Sequence, residues 1–390
     1  MKIDQSISVY KEEIKNHRRN LHKMPEAGFE EKRTAEYVAK TLKSYGISVK
    51  TGLVETGVLG YLECDKSLPT IAFRSDMDAL SMKEETGLAF KSENDGFMHG
   101  CGHDGHMATL LIFAKHMSEE RSKLKANILF IFQPAEEGPG GAEPLVNEGI
   151  FDTYGVKEVY GLHLYPEVEE GKIALRSGPL MAQTGEFDID ITGKSGHGAL
   201  PHKGTDAIVI AADLIQRLQT IVSREICPID PAVLTIGRME GGERRNIIAE
   251  KVRLEGTVRA FDEAVFASIF EAMERHMKAT EIAYNCHIDY DLRTMYPPVV
   301  NDEELTESFM EANKEVVEEI APQMIAEDFS YYQKVVPGIF FFVGTRSEQK
   351  GFVFPLHNAK FNFDEETLLN GVQAYKNVLV HRGYMKGERP

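Results

Sequence analysis

Short apolar runs alternate along much of this chain with segments whose apolar positions fall at helical spacing. TIAFR (70–74), NILFIF (127–132), EVYGL (158–162) and, much later, GIFFFV (338–343) are unbroken apolar runs of strand length. Runs without polar alternation suit strands covered on both faces, with helices as crossovers. Residues 1–45 read as helix: EEIKNHRRNLHKM and KRTAEYVAKTLKSYG carry helically spaced apolar residues, and Gly46 stops the pattern.

The pattern changes near residue 183. GEFDIDITG (185–193) alternates as a half-buried strand does, and DAIVIAADLIQRLQTIV (206–222) is helical. AVLTIGRME and KVRLEGTVRA then read as strands, AVFASIFEAMERHMKAT as a helix and CHIDYDL as a last strand. Strand–helix–strand–strand–helix–strand is the order of a split, ferredoxin-like unit. The expectation is an α/β domain of residues 1–182 and 294–390, a mixed, mostly parallel sheet flanked by helices. An α+β domain is inserted at 183–293. No internal repeat or low-complexity segment interrupts this plan.

With 390 residues the chain has ample length for two domains. Acidic residues outnumber basic ones 61 to 44, a formal charge of −17. That argues against non-specific nucleic-acid binding, which needs a positive footprint, while leaving room for a local basic pocket. No run approaches the roughly 18 apolar residues of a spanning helix, and the first 20 residues hold no signal-peptide core. Cysteines at 64, 101, 227 and 286 are too dispersed for a disulfide framework. The expected compartment is the cytoplasm, with no membrane partner and with Cys101 either a free thiolate or a ligand.

The chemistry gathers where apolar runs end. SDMDAL, with Asp76 and Asp78, follows TIAFR; AEEG, with Glu136 and Glu137, follows NILFIFQP; His163 follows EVYGL; His357 lies beyond GIFFFV. MHGCGHDGH places Cys101 and His103 at the start of a helical stretch. Ligand sites of open α/β sheets lie outside the carboxyl ends of strands, and imidazole, thiolate and carboxylate are metal donors. Paired glutamates suit a division of labour, one on a metal and one free to move a proton. His99 and His106 read as supporting groups, and Asp328 in AEDF reads as the cap of a helix SYYQKVV.

The stretches RRNLHKMPEAGFEE, RSDMDAL, MHGCGHDGH, QPAEEGPGGA, GLHLYP, GKSGHGALPHKGTDAI, NIIAE, GTVRAF, AEDFSYY and LHNAKF run in order through nearly the whole chain. In these motifs it resembles the metal-dependent amidohydrolases that include aminoacylases, carboxypeptidases and dipeptidases. The similar branch is that of hippurate hydrolase, indole-acetyl-amino-acid hydrolases and N-acetyl-diaminopimelate deacetylase. The resemblance implies two divalent metal ions held by Cys101, His103, Glu137, His163 and His357, and the mixed nitrogen, sulfur and oxygen donors allow zinc, manganese, cobalt or nickel. It implies Glu136 as general base, then acid, and Asp78 as the acidic residue supporting the metal shell. His197 would come from the inserted domain, often of a partner subunit, to polarise the scissile carbonyl. Asn246, Arg259 and Arg346 would bind the substrate's carboxylate end. Ser81 stands where the family usually has proline, a change of loop stiffness.

The implied activity is cleavage of the amide bond of a small N-acyl-amino acid, in a homodimer formed through the inserted domain. A dipeptidase or carboxypeptidase with the same centre is the nearest alternative. A non-catalytic metal or thiol sensor is a more distant one, since a sensor has no need of a spare glutamate.

Overall fold

The computed structural model describes residues 1–387 and divides into two compact units. One comprises Met1–Leu180, Val300–Ala321 and the chain from Asp328 onward; the other comprises Met181–Val299 and Pro322–Glu327.

Among the described residues, the larger unit is built on an eight-stranded sheet. Its centre is the parallel set Asn127–Gln133, Thr70–Asp76, Val156–Glu169 and Gly338–Arg346, side by side in that order. Every residue of Thr70–Asp76 and Asn127–Gln133 is buried, as the unbroken apolar runs require of strands covered on both faces. Antiparallel strands Ser48–Leu53 and Gly57–Leu62 extend one edge. The short strands Ile173–Leu175 and Val317–Glu319 extend the other.

The helix His103–Glu119 is buried around nearly its whole circumference. Phe113 packs edge-on against Phe73, and Gly105 lets Leu164, Phe363 and Leu368 close in where a Cβ would lie within 3.0 Å of each. The entrance of this helix, which carries Cys101 and His103, is thus fixed against the central strands.

Two expectations need correction. The first 45 residues are not helical throughout: helices Lys11–His22 and Lys32–Ser44 are separated by a coil holding Pro25 and Gly28. Helical periodicity on both sides masks the break, although proline disfavours the helical conformation of the residue before it. Nor does the third central strand end before His163. It runs from Val156 to Glu169 and carries His163 in its interior.

The smaller unit has the expected order of elements. Strands Gln183–Thr192, Ala232–Gly241, Lys251–Ala260 and His287–Thr294 form an antiparallel sheet, numbered in chain order as fourth, first, third, second across the sheet. The alternation of Gln183–Thr192 puts Phe187, Ile189 and Ile191 on the face covered by helices Ala207–Thr220 and Glu263–Tyr284.

Candidate metal centre

Six donor residues from four places in the larger unit converge. One ligand atom each from Cys101, His103 and His163 lie within 4.8 Å of one another; so do those of Cys101, Glu137 and His357, and those of His103, Glu136 and Glu137. The three groups share members, so they form a single cluster.

Backbone bonds orient the imidazoles. His103 Nδ1 lies 2.9 Å from the Asp78 carbonyl oxygen and His163 Nδ1 lies 2.7 Å from that of Leu164. A carbonyl only accepts, so both Nδ1 atoms carry the proton. In the neutral rings each Nε2 is therefore a lone pair. His163 Nε2 is 3.3 Å from Cys101 Sγ, and His103 Nε2 is buried with no hydrogen-bond partner. Anchoring one nitrogen to a carbonyl while the other faces the cluster is the usual preparation of a histidine for metal.

The loop of Glu136 and Glu137 is held by Asp78. Its Oδ1 accepts the Glu136 N–H at 3.0 Å and its Oδ2 the Glu137 N–H at 2.9 Å. With its carbonyl on His103, Asp78 joins two parts of the cluster. Glu137 Oε1 lies 3.2 Å from His357 Nε2 and 3.9 Å from His103 Nε2. His357 adopts a left-handed backbone (φ 59°), and its N–H donates to Gly100 O at 2.9 Å. That bond ties its loop to the segment carrying Cys101.

The electrostatics ask for positive charge. Burial works against a charged His103, yet the carboxylates of Asp76, Asp78 and Glu137 outweigh it and push the imidazole up to about 10. Burial and the charges of Glu137 and Glu136 push the Cys101 thiol well above its ordinary value. Both effects disfavour a bare thiolate at Cys101, and a cation beside the sulfur would offset them. An unpartnered imidazole nitrogen, a second lone pair facing sulfur and a carboxylate between histidines fit divalent cations. The nitrogen, sulfur and oxygen mixture admits several metals.

Around the cluster, Asp76 is buried between Arg74 Nη1 (2.9 Å) and His106 Nδ1 (2.8 Å), and His106 Nε2 accepts the Leu164 N–H at 2.9 Å. His106 thus supports the strand carrying His163. Neither ring nitrogen of His99 has a hydrogen-bond partner, and burial lowers its pKa to about 3. The expected cap at Asp328 is a further correction. The N-cap position of the short helix Ser330–Gln333 falls on Phe329, not on Asp328. Asp328 instead accepts from Arg74, from Gln133 and from the N–H groups of Gly141 and Ala142. The buried guanidinium of Arg74 gives this buried carboxylate a charged partner.

The substrate candidates divide between the two units. Within the smaller unit His197 is exposed and pairs with Ile247, and Asn246 O accepts the N–H of Gly198 at 2.9 Å. His197 and Asn246 are therefore near neighbours. Arg259 is half-buried, its guanidinium on the hydroxyls of Thr184 and Thr257. Arg346, in the larger unit, pairs with Glu348 at 3.2 Å.

Sequence reasoning passed over Glu31. It is fully buried, and desolvation raises its carboxyl to about 7, although hydrogen bonds from Thr56 and Ala135 work the other way. Its place in PEAGFEE, a stretch with no metal donor pattern, gave no chemical signal.

Fold and sequence together define a hydrolase acting on an amide bond. A profile of peptidase family M20/M25/M40 matches residues 72–381, and the chain belongs to that family. An N-acetyldiaminopimelate deacetylase of Priestia megaterium is 40% identical over 377 residues, covering 94% of this chain and 97% of that protein. The crystal structure of a Bacillus subtilis protein described as a dinuclear metal-binding peptidase of the M20 family superposes with a TM-score of 0.83. It is 31% identical and covers 96% of this chain and 98% of its own. A Staphylococcus aureus protein assigned as an aminohydrolase superposes with a TM-score of 0.91 at 36% identity, over 98% of both chains.

Proposed function

We propose that this chain hydrolyses the amide bond of an N-acyl-amino acid, with Cys101, His103, Glu137, His163 and His357 holding two divalent cations and Glu136 moving the proton. The observation that carries the reading is the pair of imidazoles whose Nδ1–H groups are spent on backbone carbonyls, leaving both Nε2 atoms to the cluster, where a cation would take the place of a proton. Bound there, the cations would supply Lewis acidity, polarising the amide carbonyl and making water nucleophilic near neutral pH.

The chain's own groups do the rest. Glu136, held by its N–H on Asp78, takes a proton from the attacking water and hands it to the amide nitrogen as the C–N bond breaks. The products are a carboxylate and a free amine. Asp78 keeps the two glutamates in register and fixes the tautomer of His103. His197 would add a donor to the carbonyl oxygen. Asn246, Arg259 and Arg346 would take the substrate carboxylate, which requires Arg259 and Arg346 to exchange their present partners.

The name of the Priestia megaterium relative makes N-acetyl-diaminopimelate the first substrate to test. The reading is of a cytoplasmic enzyme with a small-molecule substrate; among the described residues no helix is long and apolar enough to cross a membrane. Dimerisation through the smaller unit completes the reading, and light scattering at twice 43.7 kDa is its test. The activity is tested by a hydrolysis screen over N-acetyl-diaminopimelate, N-acetyl and N-benzoyl amino acids and dipeptides, with each metal added back. Turnover of the acyl-amino acids alone is expected. Preferential turnover of dipeptides makes the chain a dipeptidase, and metal binding without any product makes it a sensor.

A further inference from the structure

The segment between the two N-terminal helices, PEAGFEE, has no part in the reading above, yet it lies directly behind the loop of Glu136. Glu31 Oε1 accepts the N–H of Ala135 at 2.8 Å, one residue before Glu136. Ala135 is in the left-handed region (φ 55°), a strained conformation for a residue with a Cβ that persists only when its surroundings impose it. Three consecutive N–H groups, of residues 135, 136 and 137, are thus bound by two buried carboxylates, Glu31 for the first and Asp78 for the others.

The surroundings of Glu31 are built to hold it. Its other oxygen accepts from the Thr56 hydroxyl. Thr56 follows Val54 and Glu55, both left-handed (φ 46° and 70°), at the turn joining Ser48–Leu53 to Gly57–Leu62. Gly28 packs on the same corner, where a Cβ would come within 2.8 Å of Ala135 Cβ and 2.7 Å of Gly138 O. The Glu26 carbonyl accepts the N–H of Ala79 at 2.8 Å, joining the same segment to the chain just after Asp78. The N-terminal segment therefore braces the loop after Asp78 and the loop of Glu136.

We propose that Glu31 is a positioning residue for catalysis, setting the direction of the Glu136 carboxylate by holding the strained Ala135 backbone. The proposal rests on Glu136 being the proton carrier. A one-ångström misplacement of a reacting group costs up to about 100-fold in rate, so the role has a measurable size. Glutamine at 31 retains an oxygen that accepts the Ala135 N–H and an amide that donates to Thr56; alanine retains neither.

The test is a double-mutant cycle. Metal content, circular dichroism, kcat and KM are measured for Glu31→Gln, Glu31→Ala, Glu136→Gln and the two double variants. Expected for Glu31→Ala is a fall in kcat of about 10- to 100-fold, with KM and metal content changed less than threefold. Glu31→Gln is expected within about fivefold of the wild type. In the Glu136→Gln background, replacing Glu31 should cost nothing further, because interacting residues are non-additive. Should Glu31→Ala not fold, Glu31→Gln and its double variant carry the test, any loss in the former having to vanish in the latter. Wild-type kcat in Glu31→Ala, equal losses in both backgrounds or loss of metal from Glu31→Gln would each overturn the proposal. Wild-type kcat in Glu136→Gln alone would instead overturn the reading of Glu136.

Discussion

At the scale of single residues, the centre depends on proton placement as much as on proximity. Two histidines spend Nδ1–H on carbonyls, and Asp78 accepts two successive N–H groups while its carbonyl takes a third donor. Replacing Asp78 by alanine would leave the Glu136 and Glu137 N–H groups without these acceptors. Metal affinity is expected to fall about 10- to 100-fold, as for other groups supporting metal ligands, and competition with a chromogenic chelator measures it. The donors themselves are legible as residue types beyond apolar runs, with glycines around Cys101 and His103. Illegible are the bonds by which Glu31 and Asp328 hold backbone N–H groups more than 100 residues away, because a backbone donor leaves no mark in sequence.

At the scale of elements, close approaches fix the loops. A Cβ at Gly141 would lie 2.0 Å from the carbonyl oxygen of Pro134, and backbone cannot step aside as a flexible side chain can. Gly141→Ala is expected to shift the loop of Glu136 and cut kcat by about tenfold or more, with far-ultraviolet dichroism unchanged. The helix His103–Glu119 offers a pH test through His116, whose pKa burial, helped by the charge of Lys376, lowers to about 4. The folded chain refuses a proton that the unfolded chain accepts below about 6.5, so this contribution is complete above that pH and is lost as pH falls toward 4. Denaturant unfolding should lose about 2 kcal/mol less between pH 7 and pH 5 in His116→Phe than in the wild type. Equal losses would contradict the assignment. Strand-length apolar runs and the alternation of 185–193 made the sheets readable. Pro25 marks the break at residues 23–31, but nothing in the sequence marks the meeting of Glu31 and Gly28 with the loop at 135–138.

At the scale of the whole molecule, each compact unit has its own apolar core, one around Phe73, Phe113 and Tyr375, the other around Phe187, Leu214 and Ile269. All five proposed ligands belong to the larger unit. A ligand stabilises only the state that binds it, so chelation should lower the melting temperature of the larger unit and leave that of the smaller unit in place. Differential scanning calorimetry with and without chelator reads this as the movement of one component. Equal movement of both would mean that metal lies elsewhere or that the units melt together.

The most direct test of the account is Glu136→Gln, assayed for metal by inductively coupled plasma mass spectrometry and for turnover on the best substrate from the screen. The expected result is an unchanged metal content of two ions per chain with kcat reduced by about 100- to 10,000-fold. Turnover near that of the wild type would contradict the account, and so would the loss of metal together with activity.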